Sequence, residues 1–137
     1  HDFSNRMYCG CNFISASFVS CSFKKCTLRM DFFDFSQFVD CDFSESDMKF
    51  LSFSGCSFQQ CSFENSELLH LNFCGAKLSD AAFSHSNLYN SRFNGARLTD
   101  VTIDDCNIKK VFFIDAETAN VAFKSSNTAE AVFEHEN

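Results

Sequence analysis

Residues Cys41–Gln60 read CDFSESDMKFLSFSGCSFQQ. Within this stretch Phe43, Met48, Phe53 and Phe58 are five residues apart, and two residues before them stand Cys41, Ser46, Leu51 and Cys56. A step of five fits neither the helix period near 3.6 nor the strand period of 2. The step extends outward in both directions, from Phe3 to Phe133, without an insertion or deletion. Of its 27 positions 25 are large and apolar, the exceptions being Thr118 and Thr128. A fixed period of this kind denotes a repeat architecture in which one unit is one structural step.

The register two residues earlier is small: Cys, Ala or Ser fill 19 of its 27 positions, among them Cys21, Cys26, Cys61, Ala76, Ala81 and Ala96. The other three registers are mostly Ser, Asp, Asn, Lys, Gln and Glu. Each unit therefore presents one large and one small residue inward and three residues to water. The pattern resembles the A-[DN]-[LF]-x-x units of the pentapeptide-repeat family, as in Cys41-Asp42-Phe43-Ser44-Glu45, Ala76-Lys77-Leu78-Ser79-Asp80 and Ser86-Asn87-Leu88-Tyr89-Asn90. The resemblance covers essentially the whole chain. It implies an all-β fold, a right-handed quadrilateral parallel β-helix (a solenoid) of about seven coils of four pentapeptides.

A second period supports four sides. Every fourth unit from Phe13 is Phe through Phe133, whereas the set Tyr8, Leu28, Met48, Leu68, Leu88, Ile108, Thr128 contains no Phe. The set from Phe3 is Phe except at Ile103, and the set from Phe18 turns to Leu78, Leu98 and Thr118. Residues 20 apart should then stack in columns, with two phenylalanine ladders and turns about 4.8 Å apart. Gly55, Gly75 and Gly95 share one column and are expected at corners with positive φ.

The chain reads as a single domain, residues 1–137, with no linker and no apolar run long enough to cross a membrane. It starts at His1 and its repeat runs to both ends, so it is expected to be part of a longer chain lacking its caps. Open coils would leave the ends prone to end-to-end or edge association. Seven of the nine cysteines lie in the small inward register, where a thiol acts as a compact apolar group; Cys9 and Cys74 face outward. So many unpaired thiols, with no glycosylation sequon, suit a reducing cytoplasm, or a host cytosol if the parent is a secreted effector.

No catalytic constellation stands out. His1, His70, His85 and His135 have no cysteine or carboxylate at a metal-ligand spacing, and there is no phosphate-cradling glycine loop. Neither a cofactor nor a metal is expected, and the chain does not read as an enzyme. The surface carries the remaining signal. Met30, Phe50, Leu69 and Tyr89 cluster outward beside the Met48 column and form a candidate protein-binding patch. Phe32, Phe35, Phe112 and Ile114 are outward on the Phe33 side, where Phe32 and Phe35 fit either a second patch or a local loop distortion. Asp42, Glu45, Glu64, Asp104 and Asp105, with Lys24, Lys25 and Lys124 among them, form a candidate acidic surface, and Asp40, Gln60, Asp80, Asp100 and Asn120 make a corner ladder.

Two function classes follow. One is a non-catalytic protein-binding scaffold, a rod-shaped module of a larger protein such as the β-helix domains of bacterial secreted effectors. The other is a DNA-mimicking binder of a type II topoisomerase, which similarity to quinolone-resistance-type, gyrase-binding members implies and the net charge of −7 fits. In both the partner is a protein, with no direct nucleic-acid or membrane binding.

Overall fold

The computed structural model describes residues 2–134; His1 and His135 lie outside the described residues. The chain winds as a four-sided parallel β-solenoid in which each pentapeptide is one side. Its strands are β1 (Met7–Cys9), β2 (Ser17–Val19), β3 (Thr27–Arg29), β4 (Gln37–Val39), β5 (Asp47–Lys49), β6 (Ser57–Gln59), β7 (Glu67–Leu69), β8 (Lys77–Ser79), β9 (Arg97–Thr102) and β10 (Glu117–Ala122). One side stacks β1-β3-β5-β7 and the opposite side stacks β2-β4-β6-β8-β9-β10, all in parallel. The two sides between them pair through single bridges such as Ser22↔Asp42 and Phe32↔Ser52. The register is 20 throughout, as in Phe38↔Phe58 and Met48↔Leu68.

Each turn bonds to the turns on either side of it. The Asp42 N–H donates to Cys21 O at 3.1 Å, and the Phe43 N–H donates to Ser62 O at 2.7 Å. The pentapeptide turns its corner at its fifth residue. Every fifth residue from Asn5 to Ser125 has positive φ, between 51° and 68°, although only four of them are glycine. The left-handed conformation costs a non-glycine residue roughly 1–2 kcal/mol. The ladders above and below fix the corner strongly enough to hold it. Gly55 answers a further demand: a Cβ there would lie 2.7 Å from the Phe35 ring, which folds along its corner over the glycine. The path stays regular at Phe32 and Phe35, so the loop-distortion alternative is replaced by this packing.

The interior is dry and stacked. Phe33, Phe53, Phe73 and Phe93 lie face to face, with centroids 5.1, 5.2 and 4.8 Å apart, in the ladder from Phe13 to Phe133. The second ladder runs Phe3, Phe23, Phe43, Phe63, Phe83 at 4.7–4.9 Å and stops at Ile103. The two ladders stand on opposite sides and meet edge to face across the interior, as Phe63 and Phe73 do at 5.9 Å and 88°. Ring quadrupoles favour such edge contacts, so the two packing modes together fill the rod.

The small inward residues also bond one turn to the next. Ser86 Oγ donates to Phe63 O at 2.7 Å and accepts the Ser66 N–H at 3.2 Å. Ser36 and Ser91 repeat the arrangement, donating to the carbonyl 23 residues back and accepting the N–H 20 residues back. Thiols take the donor role, as Cys56 does toward Phe33 O at 2.9 Å. The inward cysteines are thus weak hydrogen-bond donors as well as apolar filler. Asp31 is the exception in this register: it is fully buried, its Oδ1 accepts the Cys11 N–H at 2.7 Å, and its Oδ2 has no partner.

The stack comprises about six turns, fewer than the seven that the length suggests. At Thr128 a polar residue replaces the large inward one, and Thr128–Glu130 forms a 3₁₀ turn instead of a strand. Thr118 is likewise exposed, so the last turn lacks the side chains that would close its core.

Candidate protein-binding surface

The corner after the β1-β3-β5-β7 side stacks Gly10, Met30, Phe50, His70, Asn90 and Lys110. Met30 and Phe50 point to solvent, 56 % and 58 % exposed. Phe50 lies flat on the His70 ring, with centroids 4.8 Å apart and planes at 7°. Tyr89 meets the other side of His70 edge-on at 5.8 Å, and Lys110 Nζ stands 6.0 Å from the Tyr89 ring centroid. Asn90 Nδ2 donates to His70 Nδ1 at 2.7 Å, which leaves the neutral ring's proton on Nε2. The structure therefore joins Phe50 and Tyr89 through His70, which the sequence reading did not place in the patch. The signal was the 20-residue step from Phe50 to His70. Leu69 is half-buried on β7, one residue before the corner.

Beside this column runs a shallow groove of about 320 Å³ lined by Phe50, His70, Leu71, Asn72, Asn90 and Arg92. Leu71 is its floor; Phe50, His70 and Asn90 form one wall and Asn72 and Arg92 the other. The Asn72 carboxamide is fixed by accepting the Cys74 N–H at 2.8 Å. On the next side Phe32 and Phe35 are exposed, and Phe112 and Ile114 border a smaller hollow with Arg92 and Asn94.

The five acidic candidates share one side but form two groups. Asp42 and Glu45 lie on one turn and Glu64 on the next; Ala82, Ser84 and His85 then intervene before Asp104 and Asp105. Most of these carboxylates have partners within the rod. Glu45 pairs with Lys24 at 3.4 Å, and Asp105 lies 3.7 Å from His85 Nδ1. Asp42 accepts the Ser44 N–H at 2.8 Å and Asp104 the Lys124 N–H at 2.9 Å.

Most of the inward thiols are held in the neutral form; Cys41 is the exception, drawn below the usual thiol range by its hydrogen bond with Cys61, although it is buried. Burial pushes Cys56 up to about 12 and Cys106 up to about 11. The hydrogen bond between Cys61 and Cys41, and burial with it, hold Cys61 far above the usual thiol range. Cys9 is exposed and Cys74 half-buried, as their outward registers require. Cys11 is also half-buried despite its inward register, because it lies in the first turn. Among the described residues no group of three or more His, Cys, Asp or Glu side chains could hold a metal ion.

Residues 56–133 match the family model described as Pentapeptide repeat region. The chain belongs to the pentapeptide-repeat family. Among solved pentapeptide-repeat structures, HetL, involved in heterocyst differentiation regulation in the cyanobacterium Nostoc sp., superposes with a TM-score of 0.91 at 16 % identity. The match covers 96 % of this chain and 61 % of HetL, so the chain spans about three-fifths of that protein. Rfr23 from the cyanobacterium Cyanothece gives a TM-score of 0.50 at 14 % identity, covering 93 % of this chain and 90 % of Rfr23. QnrB1, a plasmid-mediated fluoroquinolone resistance protein, gives 0.38 at 16 % identity, covering 93 % and 79 %. At 16 % and 14 % identity the likeness to HetL and Rfr23 is one of fold. No curated protein matches the sequence.

Proposed function

We propose that this pentapeptide-repeat rod is a non-catalytic protein-binding scaffold whose partner docks on the Met30, Phe50, Leu69, Tyr89 corner, with His70 as part of the same surface. One observation carries the reading. The corners require positive φ, and nearly all of them hold Gly, Asn, Asp, Ser or a charged or polar residue, but Met30, Phe35 and Phe50 are large and apolar. A bulky residue in this conformation is disfavoured. All three remain more than half exposed, Phe35 included although it lies over Gly55, a cost to the free rod that a bound partner would offset. Of the three, Phe50 belongs to a continuous aromatic column with His70 and Tyr89. Rigid exposed aromatics are the side chains that anchor protein interfaces.

The test is panning of a random peptide display library on the intact protein and on a Phe50→Gly/Tyr89→Ser variant. Glycine at position 50 suits the corner, so the variant is expected to melt within a few degrees of the wild type. A sequence family selected by the wild type and lost on the variant is the expected result. Selection that survives the double substitution, or no selection above background, would overturn the reading.

The topoisomerase alternative rests on charge. The acidic side is interrupted and partly self-paired, which favours the aromatic corner over a phosphate-like array.

A further inference from the structure

We infer that the segment docking on this corner is acidic: a short extended stretch with carboxylates flanking an apolar residue. The inference rests on the protein-binding reading above and adds the chemistry of the partner. The chain carries eleven Lys and Arg against eighteen Asp and Glu, a net of −7. The Met48 side with its corner, and with Arg92 across the groove, has the opposite sign locally, since the acids there are Asp47, Glu67 and Glu130. Arg29, Lys49, Arg92, Lys109 and Lys110 lie along it or across its groove, five of the eleven cations.

The carboxylates on the same side are already engaged. Asp47 pairs with Arg29 at 2.9 Å, Glu130 lies 4.0 Å from Lys109, and Glu67 accepts Asn87 Nδ2 at 3.1 Å. Lys49, Arg92 and Lys110 have no ion-pair partner among the described residues. They bracket the aromatic column: Lys49 precedes Phe50, Arg92 forms the far wall of the groove, and Lys110 stands over Tyr89.

The spacing limits the length of the occupant. Lys49 and Lys110 are three turns apart, roughly 14 Å at the usual inter-strand spacing, which is about four extended residues. One apolar side chain would sit against Phe50 and the His70 edge, over Leu71. Carboxylates before and after it would reach Lys49, Arg92 and Lys110, with Arg92 able to hold one in a forked contact. A nucleic-acid strand fits less well. Carried along the same column, its phosphates would continue past Lys49 and Lys110 toward Met30, Gly10 and Glu130, where no unpaired cation among the described residues meets them. A protein segment can confine its charge to the few residues the patch covers.

The experiment pans the same display library and reads the composition of the selected peptides. It adds an Arg92→Glu/Lys110→Glu variant, both residues being exposed. A selected peptide and a single-stranded polythymidine oligonucleotide are then titrated at low and moderate salt. The expected result is a consensus rich in Asp and Glu around one aromatic or aliphatic residue. Binding should weaken about tenfold or more on charge reversal and several-fold with added salt, as for charge-complementary surfaces. Peptides that need Phe50 and Tyr89 but are neutral or basic would overturn the acidic inference and leave the protein-binding reading standing. Absence of any patch-dependent peptide would overturn both. Tighter binding of the oligonucleotide at the same residues would replace the peptide with a nucleic-acid partner.

Discussion

Asp31→Asn should make the protein more stable at neutral pH, although it alters a fully buried residue. In the inward register each serine both accepts an N–H and donates to a carbonyl, as Ser91 does in the same column. Asp31 satisfies the acceptor half through Cys11, but ionised it has no proton to donate, and its Oδ2 is bare. Burial accordingly pushes its carboxyl above the usual carboxylate range, against the pull of the Cys11 N–H. Asparagine keeps the acceptor and replaces the bare oxygen with a donor; Tyr8 O, 23 residues back, is the expected acceptor. A buried unsatisfied polar atom costs about 1–3 kcal/mol, so the gain should be of that order. The pH dependence has a definite sign. A carboxyl whose folded pKa is raised contributes stability below the unfolded value, and that contribution is lost as pH rises through the folded value. The advantage of the variant should therefore be small near pH 3 and grow as pH rises to neutrality. Urea denaturation of both proteins between pH 3 and 8 measures it, with equal m-values confirming the same transition. A variant less stable at pH 7, or a difference that does not change with pH, would refute the account of Asp31 as a proton-starved member of the serine pattern.

Phe73→Ala, in the middle of the longer ladder and fully buried, should remove about 3–5 kcal/mol in the same assay, whereas exposed Gln59→Ala should stay within about 0.5 kcal/mol. Equal losses would break the inward–outward register. A maleimide reagent should modify Cys9 fully and Cys74 and Cys11 more slowly in the native protein, leaving Cys21, Cys26, Cys41, Cys56, Cys61 and Cys106 until it unfolds; rapid native labelling of Cys56 would contradict the packed core. Purified protein should leave DNA supercoiling by gyrase unaffected, and inhibition at low micromolar concentration, weakening with Asp42→Asn/Glu45→Gln/Glu64→Gln, would promote the DNA-mimic reading.

Most of the fold was legible before any coordinates, because in a solenoid the tertiary neighbour of a residue is set by arithmetic. With no insertion between Phe3 and Phe133, a residue's contacts above and below are those 20 positions away, and the period of five separates core from surface. That reasoning placed the phenylalanine ladders, the positive-φ corners at Gly55, Gly75 and Gly95, and the neighbourhood of Met30, Phe50, Leu69 and Tyr89. It fails where an outcome depends on side-chain direction or on a missing neighbour. His70 joins the patch because its ring turns to lie on Phe50 and accept the Asn90 amide, a rotamer choice that spacing does not encode. Gly55 is needed for the Phe35 ring as well as for its backbone. Cys11 is half-open because inward burial requires a turn on both sides, and strand gives way to a 3₁₀ turn at Thr128–Glu130, where a polar residue stands in the large inward register. The hydrogen bonds reaching 23 residues back, and the incomplete one at Asp31, exist only once one turn rests on another, since they join atoms that periodicity places in the same layer but does not aim.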